Sequence, residues 1–171
     1  MNLYNLHGKP EDLHRHPDAD FKVVDVFWNK YKDKPEELKK REAAIAKDTL
    51  FSYVYARDIL KGRFELGEPA IAKDTAYAYV YAKDILKGRF KLGEPAISKD
   101  TRYSCWYAEE VLKGRFELAE PAIAKDFVCS YVYATEILRG RFELGEPAIA
   151  TSLNTLRHYN QRFKLNIEPR Q

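Results

Sequence analysis

The side chains best suited to chemistry in this chain are cations that recur every 26 residues. The tripeptide Lys-Gly-Arg occurs three times and Arg-Gly-Arg follows once. Because a regular ladder of cations can follow the phosphates of a nucleic acid, its members are candidate phosphate-binding residues: Lys61, Arg63, Lys87, Arg89, Lys113, Arg115, Arg139 and Arg141. A structural role is the favoured interpretation, since cations at a helix end bind its last carbonyl groups and pair with carboxylates such as Glu68.

No motif in the sequence is typical of an enzyme. A Gly-rich phosphate loop, a nucleophile elbow and a His-Glu-x-x-His helix are all absent from the sequence. His158 is the only histidine of the repeated region, and near-identical repeats seldom supply the unique set of groups that catalysis needs. We therefore predict a protein that has no catalytic residues and binds no cofactor.

Metal binding is not expected either. His7, His14 and His16 lie near the N-terminus without an i, i+4 pair or a cysteine partner. Cys105 and Cys129 each replace an aromatic residue of the repeat, which favours two buried thiols. The sequence thus predicts no metal site.

The chain is a repeat array. A unit of 26 residues is written four times between residues 42 and 145 without an insertion, so that Ile45, Ile71, Ile97, Ile123 and Ile149 fall in one column. Such a period predicts a solenoid, in which each unit buries its apolar face against its neighbours. We expect an N-terminal helical cap over residues 1–41, four repeats over 42–145, and a shortened fifth repeat that forms the C-terminal cap over 146–171.

Each repeat contains the signals of a short helix and a long helix, here in the copy at residues 68–93. Pro69 suits the first turn of a short helix at 68–73, and Asp74 is the expected N-cap of a long helix at 75–87. Gly88 is the expected helix terminator in the left-handed conformation. The predicted fold class is therefore all-α, an α-solenoid of stacked short-helix/long-helix hairpins with helical caps at both ends.

A helical wheel divides the long helix into two faces. Tyr77, Tyr79 and Tyr81 fall with Ala and Ile on a wide apolar arc, which predicts core packing, although tyrosine columns can also stack bases. The residues after the glycine are expected to pin the next repeat: Phe64, Phe90, Phe116, Phe142, Leu66, Leu92, Leu118 and Leu144.

The other arc of the long helix is expected to face solvent, and it varies among the repeats. Trp106 stands there in a column otherwise filled by valine, an arrangement typical of a binding hot spot. The candidate partner-binding residues are Leu50, Val54, Arg57, Val80, Lys83, Arg102, Trp106, Glu109, Val128 and Val132. Cover of the valine column by an adjacent helix is the alternative.

Net charge and hydrophobic content limit the kinds of partner that are expected. The 171 residues carry a formal net charge of only +3, which does not favour strong nucleic-acid binding. The hydrophobic fraction of 45% suits a folded domain, and the sequence has no apolar stretch of membrane-spanning length. We expect a cytoplasmic protein without a membrane partner.

The repeat unit resembles a short αα repeat of tailed phages and other viruses. The shared elements are Glu68-Pro69, Ile71-Ala72-Lys73, the Asp74 cap, the Ala/Tyr-rich helix from Tyr77 to Ala82, and Lys87-Gly88-Arg89-Phe90. The resemblance covers about residues 42–150 and implies an α-helical repeat fold and a phage origin. Ala119, Phe127 and the two cysteines depart from the unit.

These observations favour a non-enzymatic, helical-repeat module that binds a protein. The resemblance implies a phage-encoded factor that binds and inhibits or redirects a host protein, such as a component of anti-phage defence. Nucleic-acid binding through the cation ladder is the first alternative, and sequestration of a small nucleotide between repeats is the second.

Overall fold

A computed structural model describes residues 26, 29–31 and 33–170. This part of the chain is all-helical, contains no β-strand, and stacks helix pairs in series. The predicted all-α repeat solenoid is confirmed.

Short and long helices alternate along the chain. The short helices are Glu42–Ile45, Glu68–Ile71, Glu94–Ile97, Glu120–Ile123 and Glu146–Ile149. The long helices begin as the α-helices Thr49–Val54, Thr75–Val80, Thr101–Trp106 and Phe127–Val132. They continue directly as the π-helices Tyr55–Leu60, Tyr81–Leu86, Tyr107–Leu112 and Tyr133–Leu138. Three of the connections that follow contain a 3-10 turn, at Glu65–Gly67, Glu117–Ala119 and Glu143–Gly145.

The long helices begin as the sequence predicts. Asp74 lies in extended conformation, and its Oδ1 accepts a hydrogen bond of 2.9 Å from the N–H of Tyr77. Asp48, Asp100 and Asp126 cap the other long helices in the same way. Each cap satisfies an N–H group that the helix itself cannot, a contribution of about 1 kcal/mol.

The long helices end differently from the prediction, because the left-handed residue is a lysine and not the glycine. Lys87 has φ 49° and ψ 38°, and its N–H donates to the carbonyl of Ala82. The N–H of Gly88 donates to the same carbonyl at 3.0 Å, and Gly88 itself does not have a left-handed φ. The last turn is wound as a π-helix, so the chain reverses directly after Leu86, one residue before the glycine.

The core runs through the whole array. The tyrosines Tyr79, Tyr81, Tyr107, Tyr133 and Tyr159 and the isoleucines Ile71, Ile97, Ile123 and Ile149 are fully buried. Each long helix packs on the short helix of the next repeat and on the next long helix. The predicted core face is therefore confirmed from Tyr77 to Ala82, whereas Ile85 and Leu86 at the end of the π-helical part are only partly buried.

Threonine hydroxyls link successive repeats. Oγ1 of Thr75, the first residue of a long helix, donates to the carbonyl of Ala96 in the next repeat at 3.0 Å. Thr49 and Thr101 make the same bond to Ala70 and Ala122. In the fourth repeat Phe127 replaces the threonine, so this link is missing there.

Helices close the array at both ends. Before the first repeat, Pro35–Lys39 buries Leu38, and the guanidinium of Arg41 lies over the buried Tyr31 ring at 4.7 Å. Phe21, Val24, Phe27 and Trp28, which have helical spacing in the sequence, lie outside the described residues. After the last repeat, the longer helix Leu153–Phe163 buries Leu156 and Tyr159.

Candidate functional site

The arginine of each ladder segment is held by a glutamate, which is buried in the first three pairs and partly buried in the fourth. Nε and Nη2 of Arg89 donate to the two carboxylate oxygens of Glu94 at 2.6 and 2.9 Å. The Glu94 side chain is only 9% exposed, whereas that of Arg89 is 56% exposed. The same two-bond ion pair forms in Arg63–Glu68, Arg115–Glu120 and Arg141–Glu146. Paired bonds of this kind fix both partners in one orientation.

A tyrosine of the next long helix completes each pair. The hydroxyl of Tyr107 donates to Glu94 at 3.2 Å and accepts the N–H of Phe90 at 2.8 Å. The Tyr81 and Phe90 rings lie 5.2 Å apart at an angle of 60°, and the Tyr107 and Phe116 rings lie 5.2 Å apart at an angle of 54°. Burial raises the pKa of the equivalent Tyr81 to about 12, so its phenol remains a donor at neutral pH.

This network favours the structural interpretation of the cation ladder. Two of the three guanidinium nitrogens of each arginine already bind a carboxylate, so a phosphate would have to share or displace that partner. The first cation of each segment, Lys61, Lys87, Lys113 or Arg139, is exposed and makes no ion pair of 4 Å or less with a described residue. Phosphate binding along the ladder stays a prediction.

The arc that was expected to face solvent is largely covered. Val54 is 2% exposed, and Val80, Val128 and Val132 are also buried. The prediction that these residues face solvent is wrong, because helices of the neighbouring repeats pack on both sides of each long helix. The alternative, in which an adjacent helix covers the valine column, describes the structure.

Two polar residues of that arc form ion pairs within the chain. Lys83 forms an ion pair of 2.6 Å with Glu110, and Arg57 forms one of 2.6 Å with Asp58. Glu109 is partly buried, Leu50 is partly buried, and Arg102 is exposed. A partner-binding role for these residues stays a prediction.

Trp106 lies at the boundary between core and surface. Its ring is partly buried and lies 5.4 Å from the Tyr103 ring and 6.1 Å from the Tyr79 ring. The indole therefore packs within an aromatic cluster of its own chain. Its role as the anchor for a partner stays a prediction.

A row of exposed leucines lies just beyond the C-terminal ends of the long helices. Leu66, Leu92, Leu118 and Leu144, here called the leucine row, are 54%, 52%, 56% and 54% exposed. They were expected to pin the next repeat, and that prediction is wrong. The buried aromatic residues of the same connections are Phe64, Phe90, Phe116 and Phe142, with exposures of 4% or less.

The leucine row belongs to the loop edge, which comprises residues 61–67, 87–93, 113–119 and 139–145. These segments connect each long helix to the next short helix, and each also presents its Lys-Gly-Arg cations. The sequence analysis singled out the cations of this edge but missed the exposure of its leucines, because leucine and phenylalanine recur with the same period. Only the packing of adjacent repeats separates the buried column from the exposed one.

A cavity of about 620 Å³ opens on the loop edge where the first two loops meet. Its lining combines apolar side chains with charged ones: Arg63, Glu68, Ile85, Leu86, Gly88, Arg89, Phe90, Lys91 and Leu92. An apolar lining with a few charged groups is the usual composition of a ligand-binding cleft.

Other kinds of site find little support in the described part of the chain. No group of three or more His, Cys, Asp or Glu side chains there is placed to hold a metal ion, and no helix there is long and apolar enough to cross a membrane. His158 is exposed, Cys105 and Cys129 are buried free thiols, and His7, His14 and His16 lie outside the described residues. Family models, curated proteins and solved structures were all compared with the chain, and none of them matches it.

Proposed function

We propose that the protein is a non-enzymatic helical-repeat module that binds an extended segment of a protein partner along the leucine row. The observation that carries this proposal is the equal exposure, between 52% and 56%, of one leucine per repeat. Single exposed leucines are ordinary, but four equivalent ones place one exposed apolar side chain per repeat along the same edge, which favours a binding surface. The cavity beside Leu92 gives this surface depth.

The repeat geometry suits an extended chain. Packed helices lie about 8 to 10 Å apart, so the leucines of successive repeats are separated by about that distance. A chain in the polyproline II conformation advances about 3.1 Å per residue and has three residues per turn, so every third side chain lies on the same face. One side chain in every three of the partner would therefore face the leucine row, and we expect those side chains to be apolar.

Nucleic-acid binding ranks behind this proposal. The ladder arginines are engaged by Glu68, Glu94 and their equivalents, and Glu65, Glu117 and Glu143 add carboxylates to the same edge. Phosphate groups would meet these negative charges. The viral resemblance of the repeat supports, as a further part of the proposal, a host protein in the cytoplasm as the partner.

Selection of random 12-residue peptides displayed on particles tests the proposed function. We expect the wild-type protein to enrich peptides with apolar residues spaced by three. The combined variant Leu66→Ser, Leu92→Ser, Leu118→Ser, Leu144→Ser should bind them at least about tenfold more weakly, because it removes the apolar contact. Leu153→Ser is the matched control, since Leu153 is 66% exposed but lies outside the row.

Circular dichroism and thermal melting of each variant confirm that it is folded before binding is compared. Equal binding by the combined variant and the control, or the absence of any enriched peptide, would contradict the proposal. Salt-sensitive retention of a labelled single-stranded DNA at physiological ionic strength, lost when the ladder arginines are replaced, would favour the nucleic-acid alternative.

A further inference from the structure

The second loop of the loop edge differs from the others at one charged position. Lys91 stands where Glu65, Glu117 and Glu143 stand in the other loops. In those three loops the glutamate lies 3.6 to 3.8 Å from the arginine of its own loop. Arg89 has no such neighbour, so a second carboxylate is missing and a second cation takes its place.

One nitrogen of the Arg89 guanidinium has no carboxylate partner among the described residues. Nε and Nη2 donate to Glu94, whereas Nη1 makes no hydrogen bond or ion pair with a described carboxylate. In Arg63 and Arg141, by contrast, Nη1 lies 3.6 and 3.7 Å from a loop glutamate. One edge of Arg89 is thus available to an anion from outside.

The cavity lies at this same loop. Its charged lining consists of three cations, Arg63, Arg89 and Lys91, against the single carboxylate of Glu68, which Arg63 already binds. The remaining side chains are apolar, among them Leu86, Phe90 and Leu92. A positive rim beside an apolar wall complements a negatively charged group next to an apolar one.

We propose that this cavity is an acidic-residue subsite, in which Arg89 and Lys91 bind an Asp or Glu side chain of the partner segment while a neighbouring apolar side chain packs on Leu92. The proposal rests on the proposed function, because it assigns one subsite of the same edge. It also sets the register of the partner, since the other loops present a glutamate at the equivalent position and repel a second acidic residue.

Lys91→Glu is the decisive variant. It installs the residue that the other three loops carry, so the loop can fold as they do. Lys99→Glu is the matched control, because it makes the same charge change at an exposed lysine at the opposite end of the long helices. The probes are the peptides that the display selection enriches, together with copies in which each acidic residue is replaced by its amide.

We expect the wild-type protein and Lys99→Glu to enrich peptides that carry Asp or Glu beside an apolar residue. Lys91→Glu should bind such a peptide about tenfold more weakly, whereas the amide copy should bind the wild type and Lys91→Glu alike. Isothermal titration calorimetry measures both affinities.

The outcomes separate the subsite from the proposed function. Enriched peptides that need the leucine row but show no acidic preference, or that bind Lys91→Glu and Lys99→Glu equally well, overturn the subsite and leave the proposed function standing. Failure to enrich any peptide, or binding that is independent of the leucine row, overturns both.

Discussion

At the scale of single residues, the loop edge depends on the glutamate that begins each short helix. Glu94 accepts two hydrogen bonds from Arg89 and one from Tyr107. A carboxylate this deeply buried is stable only when it is paired, and its place at a helix N-terminus favours its charge. The arginine of the cation ladder, near the end of each repeat, therefore has a structural role, because it pairs with the glutamate that begins the next short helix.

The tyrosine hydroxyl is the part of this network that a single substitution tests best. We predict that Tyr107→Phe lowers the free energy of unfolding by about 1 to 3 kcal/mol, because the buried N–H of Phe90 loses its acceptor. Tyr131→Phe should change it by less than about 0.5 kcal/mol, since the Tyr131 hydroxyl makes no hydrogen bond with a described residue. Urea denaturation measures both, and equal midpoints would contradict the role given to Tyr107.

Part of this network could be predicted from the sequence. The pairing of the ladder arginines with Glu68 and its equivalents follows from charge and proximity, and the structure confirms it. Tyr81 could be assigned to the core but not to Glu68, from which it is separated by a helix reversal. That contact depends on how one repeat sits on the next, which no local pattern encodes.

At the scale of the helices, the beginning and the end of the long helix differ in how far they can be predicted. The Asp74 cap is a local contact over three residues and follows from the sequence. The end contains a π-helical turn, which a wheel drawn for a regular α-helix does not anticipate. The wheel also cannot place neighbouring repeats, and for that reason it puts the buried Val80 at the surface.

Substitutions of Lys87 test whether the long helix ends at a left-handed residue at this position. Lys87→Gly should be more stable than Lys87→Ala by about 1 kcal/mol, because only glycine adopts φ 49° without a steric penalty. Both variants remove the same charge, so the difference between their free energies of unfolding reports only the backbone conformation at residue 87. Thermal or urea denaturation measures it.

Within an ordinary helix the order of these two variants would be reversed. Alanine as stable as glycine at position 87 would contradict the left-handed assignment. Gly88→Ala is a useful companion, since a Cβ there meets its nearest described neighbour, the Leu86 carbonyl oxygen, at 3.7 Å. We expect no large loss of stability from it, in contrast to the sequence-based assignment of Gly88 as the terminator.

At the scale of the whole molecule, the array is a series of interchangeable layers. The principal helix contacts join each repeat to the next, and the same bonds recur at each junction. Removal of residues 68–93 would bring Arg63 into register with Glu94 and Phe64 with Tyr107. The stacking of the remaining repeats should be preserved.

We predict that the protein lacking residues 68–93 folds cooperatively but melts at a lower temperature, because one layer and one interface are lost. A protein lacking only residues 68–80 is the control, since half a repeat destroys the register. Circular dichroism should show a helical, cooperatively melting protein in the first case only. Loss of helix in both would contradict the independence of the repeats.

The proposed function requires that the leucine row, and not the face that carries Trp106, binds the partner. Calorimetric titration of one selected peptide into Leu92→Ser and into Trp106→Ala tests this most directly, with the melting of each variant as the control for folding. We predict at least about tenfold weaker binding for Leu92→Ser and an affinity within about threefold of wild type for Trp106→Ala. The opposite order, with binding lost in folded Trp106→Ala and retained in Leu92→Ser, would contradict the proposed function.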